Sequence, residues 1–145
     1  MDWLAPHLFG DGEAWVAMQR VPMPDHRQLR VWDRAHALSV FVYRRTEVLD
    51  ANAGARHYAL QLRRATSSIA ANVAEGCAQE SSAQFARYLS VAIGSAAEAL
   101  NHVTEVRSLV LISETDACHI EEELQHIRAM LVRLRQHLRS NRRRK

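Results

Sequence analysis

Apolar residues recur along most of this chain at steps of three and four, the spacing that lines one face of an α-helix. Val31, Ala35, Leu38, Val42, Thr46 and Leu49 make the first stripe. It predicts a helix from about Asp25 to Ala51, with Asp25 and Gln28 spaced as a capping box and Asn52 and Gly54 at its end. Trp32, Ser39 and Tyr43 lie about 80–100° around from that stripe, counting ~100° per residue. Tyr58, Leu62, Ala65, Ile69 and Val73 predict a second helix from about Arg56 to Glu75, closed by Gly76. Its other side (Leu60, Ser67, Ala70, Ala71 and Ala74) is also small or apolar, as in a helix buried on more than one side. A third helix opens at Ser81, with Gln84 in the box position, and carries Phe85, Leu89, Ala92, Ala96, Ala99, Val103, Val106 and Val110. A fourth opens at Ser113, with Asp116 in the box position, and carries Ile120, Leu124, Ile127, Leu131, Leu134 and Leu138. Glu121, Glu122 and Glu123 in its first turns and arginines in its last complement the helix dipole.

The links near 52–55, 76–81 and 112–115 are short, so consecutive helices are expected to be antiparallel neighbours. The predicted fold is all-α: an antiparallel up-down-up-down four-helix bundle over 25–138. It is flanked by an irregular N-terminal extension, 1–24, and a basic C-terminal tail, 139–145. The extension holds all three prolines, Gly10, Gly12 and unperiodic apolar residues (Trp3, Leu4, Leu8, Phe9, Trp15, Val16). It reads as a loosely ordered segment, or as sequence upstream of a start at Met23. The sharper alternative is a segment that docks its tryptophans on a partner.

Composition supports the helical reading. From Asp25 to the end there is no proline, and the chain holds 22 alanines. Its 145 residues suffice for one core without metal or disulfide staples. Cys77 and Cys118 fit no metal spacing and read as free buried thiols in a reducing compartment. No apolar run approaches ~18 residues, so a soluble, cytoplasmic protein without a membrane partner is expected. The net charge of +3 sits unevenly, because Arg139, Arg142, Arg143, Arg144 and Lys145 lie in the last seven residues. Without them the body carries 14 bases against 16 acids. A basic nucleic-acid-binding face of the body therefore does not follow from overall charge. The terminus itself could displace counterions from RNA or DNA, with a log–log salt slope of up to about −4. Several copies in one oligomer would multiply that contact.

The run LRRATSSIAANVAEG, Leu62 to Gly76, is followed by Phe85, Tyr88, Leu89, Ala92 and then GSAAE, Gly94 to Glu98. With the Trp32, Ala35, Leu38 and Tyr43 spacing, this resembles the four-helix-bundle proteins named after open reading frames in intervening sequences of bacterial 23S rRNA genes. The likeness covers residues 29–138. It implies a cytosolic bundle that assembles as a homopentamer, and it carries over no enzymatic activity. The wider group includes accessory proteins of diversity-generating retroelements. Members commonly carry Phe-Pro and an acidic residue before the second helix, where this chain reads ANAGARHY. An arginine also commonly follows the NVAEG-type motif by a few residues, where this chain has Cys77, Ala78 and Gln79.

If the second and third helices are antiparallel about the 76–81 turn, Arg63 and Arg64 fall near Gly94, Ser95 and Glu98. An arginine–glutamate clamp is expected there, with Gly94 and Ser95 letting the helices approach. Asn72 reads as a buried hydrogen-bonding residue. Glu75, near a helix C-terminus, is expected to meet an arginine from a neighbouring helix or subunit. An outer assembly interface is expected to use Leu60, Ala71 and Ala74 with Trp32 or Tyr43. A di-iron bundle needs inward Glu-x-x-His pairs. Glu123 with His126 and Asp33 with His36 have related spacings, but they project away from their own core stripes. No catalytic, metal or cofactor site is therefore expected. The functional expectation is a non-enzymatic homo-oligomeric scaffold, pentameric by resemblance, with nucleic acid or a nucleic-acid enzyme as partner. The alternative is a protein-binding adaptor whose basic tail is incidental.

Overall fold

A computed structural model describes residues 24–143, and the side chains of 24–140. Four helices carry the architecture: α1 (Arg30–Thr46), α2 (Ala53–Cys77), α3 (Ser82–Ser108) and α4 (Glu114–Arg143). Each packs on its neighbours in sequence and α4 closes back on α1, giving the antiparallel four-helix bundle. Except for Val110, which is expected in the third stripe but lies past the end of α3 and is exposed, the stripes read from sequence form the core. Val42, Leu62, Ile69, Val73, Phe85, Leu89, Val103, Ile120, Leu124, Ile127 and Leu131 are fully buried in it.

The helix ends correct several expectations. Asp25 does not cap α1. Its carboxylate accepts from Arg27 N and caps a separate 3-10 turn, His26–Gln28, and α1 begins only at Arg30. After Thr46 the chain tightens into a second 3-10 turn, Glu47–Ala51. Asn52 then caps α2 rather than merely ending what precedes it, accepting from the N–H groups of Gly54 and Ala55. Ser81 behaves as foreseen. Its hydroxyl accepts from Gln84 N at 3.3 Å and donates to Gln84 Oε1 at 3.0 Å. Ser113 Oγ likewise accepts from Asp116 N at 3.0 Å.

Gly76 does not close α2, which runs on to Cys77. A Cβ at this position would lie 2.5 Å from Phe85 Cδ2 and 3.0 Å from Tyr88 Cβ. The glycine is there because α3 crosses too closely for any side chain. Gly94 is the reverse. A Cβ there meets nothing within 4 Å, so it is not the residue that lets α2 and α3 approach.

The α3–α4 turn holds one backbone outlier. Leu111 N donates to Val106 O and Val110 N to Arg107 O, the paired bonds of a Schellman motif. That geometry puts Val110 at φ 56, where glycine is the usual residue. Val110 is also 84% exposed, so its side chain gains little packing in return. Val110→Gly is expected to raise stability by about 0.5–1 kcal/mol, read as a higher urea midpoint.

The basic terminus also differs from the expected tail. α4 continues without a break through Leu138 to Arg143, so Arg139, Arg142 and Arg143 belong to the helix. Arg144 and Lys145 lie outside the described residues, as do residues 1–23. Among the described residues no helix is long and apolar enough to cross a membrane.

Candidate functional site

The seams between helices decide which side chains are free to act. At the α1–α2 seam Arg63 is the central residue. Its Nε donates to Thr46 Oγ1 at 2.8 Å, and Nη1 donates to both Asp50 oxygens at 3.0 and 3.1 Å. Its guanidinium lies 4.8 Å from the centre of the Tyr43 ring. Thr46 is fully buried, and its hydroxyl donates a hydrogen bond to Val42 O at 2.7 Å. Arg63 therefore faces α1, and the expected clamp to Glu98 does not form. Arg64 is exposed, and Glu98 sits 3.6 Å from His102 on its own helix. The reason is angular: Arg63 lies on the side of α2 turned to α1, so no shift along the axis could bring it to α3.

Small hydroxyls bridge α2 and α3 instead. Ser68 and Ser95 approach at 3.0 Å, and Asn72 Nδ2 donates to Ser68 O and Ser68 Oγ at 2.8 and 3.1 Å. Ser95 thus keeps its predicted place at this seam with a different partner. Asn72 is half-buried and hydrogen-bonded, as its placement suggested. Glu75 is exposed and forms no ion pair among the described residues.

Carboxylates are spent on arginines at the remaining seams. Arg34 binds Glu123 across α1–α4, with Nε to Oε2 at 3.1 Å, and its Nη2 lies 3.4 Å from His126 Nδ1. Arg107 binds both Glu114 and Glu121 across α3–α4. The Glu123–His126 pair is thereby occupied by a cation. Among the described residues no group of three histidines, cysteines or carboxylates could hold a metal ion. Hydrogen bonds from Arg34 hold the Glu123 carboxyl below the usual glutamate range, and those from Arg107 do the same to Glu114. A carboxyl with a lowered folded-state pKa contributes stability above its unfolded value, and that contribution is lost as pH falls through the folded one. The melting temperature is expected to drop below the ordinary glutamate pKa of 4.5, and Glu123→Gln to remove part of that drop. Thermal melts between neutral pH and pH ~3 check this.

Both thiols are free and half-buried. Burial pushes Cys77 up to about 11, with the Asp25 charge adding to it, and burial likewise raises Cys118. Both remain protonated at neutral pH and are poor nucleophiles.

Two surfaces stay open. On the first, α1 presents a second stripe beside its core stripe: Trp32, His36, Val40 and Tyr43. Tyr43 is 53% and Val40 38% exposed. The Arg63–Tyr43 contact sets α2 alongside, with Leu60 41% exposed, Ala71 exposed and Ala74 half-buried. The structure thus gathers the five residues expected at an outer interface onto one α1–α2 face. Trp32 is half-buried against the core and stacked on His36 at 5.1 Å.

The second surface is an edge of α4. Arg107–Glu121 and a 3.1 Å bond from Arg135 Nη1 to Ser90 Oγ show which edge meets α3. Arg128, Arg135 and Arg139 follow Glu121 along that edge at steps of seven and four. Arg128 and Arg139 are exposed and form no ion pair among the described residues. No acidic residue lies on the nearby outer positions of α3 (Ala83, Ser90, Gly94 and Ala97).

Comparison with protein-family models matches residues 27–133 to one described as 23S rRNA-intervening sequence protein. The chain belongs to that family. The matched stretch covers α1, α2, α3 and most of α4, so both open surfaces fall largely within it. The match ends before Arg135 and Arg139. No curated protein matches the chain.

Sequence reading missed the Arg63–Thr46–Asp50 link and the Arg34–Glu123 pair. Thr46 held a usable signal. It is the one hydroxyl in the core stripe of α1, and a buried hydroxyl needs a partner.

Proposed function

We propose that this protein is a non-enzymatic scaffold that assembles with copies of itself through the α1–α2 face and engages nucleic-acid backbones along the arginine edge of α4. The observation that carries the assembly is the exposure of Val40, Tyr43 and Leu60 on one continuous face beside Ala71. A strip of large apolar side chains beside small ones is suited to helix-on-helix contact. The family resemblance favours five copies. The nucleic-acid reading is supported by Arg128 and Arg139, which hold exposed positive charge on a helix that continues to Arg143. The family's description names an rRNA intervening sequence, which is consistent with a nucleic-acid setting.

Light scattering tests the assembly. The full chain is expected to form a defined oligomer, and Ala71→Glu to weaken it at least tenfold by burying a charge at the centre of the contact. RNA and DNA binding, with and without residues 139–145, tests the second part. Deletion is expected to flatten the log–log salt slope by up to about 4. Binding with an unchanged slope would assign it elsewhere. An oligomer that binds no nucleic acid would favour the protein-adaptor reading, to which the exposed Leu109–Val110 tip also lends itself.

A further inference from the structure

Beyond its positions beside α4, helix α3 turns a stripe of its own to solvent. Gln84, Arg87, Val91, Gly94, Glu98 and Asn101 are all exposed and recur at steps of three and four. Packing within the chain does not account for three of them. Val91 is apolar yet 54% exposed. Gly94 weakens the interior of a helix, although a Cβ there would meet nothing within 4 Å. Arg87 forms no ion pair among the described residues. Glu98 is 58% exposed and reaches only His102 Nε2, at 3.6 Å.

The order of these residues defines what fits them. Glu98 follows Arg87 by 11 residues, about 16 Å along the helix, too far for the two to pair within one chain. Two such helices laid antiparallel bring the arginine of each to the glutamate of the other. The register that sets Arg87 opposite Glu98 also sets Val91 opposite Gly94 and Gln84 opposite Asn101. Val91 then fills the space that Gly94 leaves open. Gln84 Oε1 accepts from Ser81 and Asn101 Nδ2 donates to Glu105, which leaves the amide NH2 of Gln84 for the carbonyl of Asn101. Ala83, Ser90 and Ala97 flank the stripe with small side chains, so two backbones can approach. The remaining charges leave this balance intact. Arg107 is taken by Glu114 and Glu121. Glu105 falls opposite Glu80 at the rim, where His102 already holds it at 2.8 Å. Helices α2 and α4 of the two copies would stand on the order of 20 Å apart across the pair. Arg64 and Glu75 on α2, and Arg128, Arg135 and Arg139 on α4, are therefore largely screened from their counterparts.

We infer that the outer flank of α3 is a contact with a second copy of this chain, antiparallel and two-fold symmetric, made by two Arg87–Glu98 ion pairs around two Val91–Gly94 contacts. It uses none of the α1–α2 face and stands whether or not that face assembles. A single helix pair about 25 Å long is small for an interface, so pairing is weak and concentration-dependent. Each substitution counts twice, because the two-fold repeats it.

Sedimentation equilibrium of the full chain carrying Ala71→Glu, which weakens the α1–α2 contact, tests the pair. A monomer–dimer equilibrium is expected. Arg87→Glu and Glu98→Arg are each expected to weaken it at least tenfold, by setting like charges opposite one another at both sites. The double variant Arg87→Glu, Glu98→Arg exchanges the charges and is expected to restore pairing to within about threefold. Gly94→Ala lifts Val91 of the second copy and is expected to weaken pairing several-fold. All these positions are exposed, and an unchanged circular dichroism spectrum checks that each variant folds. Three results would each overturn the pair: a monomer at every concentration up to about 1 mM, single variants that dimerise as well as the parent, or a double variant no better than the singles. Should Ala71→Glu leave the size of the parent assembly unchanged while the charge exchange still restores pairing, the α1–α2 reading falls and the α3 pair stands.

Discussion

Gly76→Ala is expected to lower the unfolding free energy by about 2–3 kcal/mol, and the melting temperature by roughly 10 °C. The added methyl would lie 2.5 Å from Phe85 Cδ2 and 3.0 Å from Tyr88 Cβ. Neither neighbour can yield cheaply. Phe85 is fully buried in the core, and Tyr88 Cβ is fixed to the backbone of α3. Relief must come from separating α2 and α3, which also stretches the 3.0 Å Ser68–Ser95 contact further along the seam. Phe85→Leu combined with Gly76→Ala should recover part of the loss, because it removes the ring that the methyl strikes. The same glycine-to-alanine change at Gly94 should have the opposite sign. With open space beyond its Cβ, Gly94→Ala is expected to add about 0.5–1 kcal/mol by helix propensity alone. Chemical denaturation of the three variants separates a steric requirement for glycine from mere tolerance of it.

Arg63→Ala is expected to cost about 2 kcal/mol. The side chain is only 12% exposed, and its stem fills the seam between α1 and α2. The ion pair supplies little of that figure, because Asp50 is 40% exposed and solvent screens it. A cycle with Asp50→Asn should therefore give a coupling below about 1 kcal/mol. Arg63 Nη2 is buried without a partner, so the guanidinium already carries a desolvation cost. Arg63→Met, which keeps the stem and removes that cost, should recover about half the stability lost in the alanine variant. Assembly gives a second readout. Arg63 supports the ring of Tyr43 on the open face, so the methionine variant should self-associate more weakly than its stability alone would require.

The two residues act at different levels. Gly76 sets how closely α2 and α3 pack, and Arg63 sets the face that α1 and α2 present. The stretch from Leu62 to Gly76 contains both. One stretch thus encodes a core requirement and a surface requirement, on opposite flanks of the same helix.

The sequence by itself determined the number of helices, the core stripe of each and the class of fold. Those depend on a repeat of ~3.6 residues, which is local and visible in any window. It also marked Trp32, Tyr43, Leu60, Ala71 and Ala74 as interface candidates, because a second apolar flank on a helix is equally local. Only the tertiary structure decided the pairings. Arg63 was expected on Glu98 and instead reaches Thr46 and Asp50. Glu123, spaced like a metal ligand with His126, is held by Arg34 from the far end of the sequence. Gly76, spaced like a helix stop, is a steric gap for Phe85. A long side chain spans several ångströms and can serve either neighbouring seam. Its choice depends on how adjacent helices are rotated and offset, and no repeat within a single helix records that.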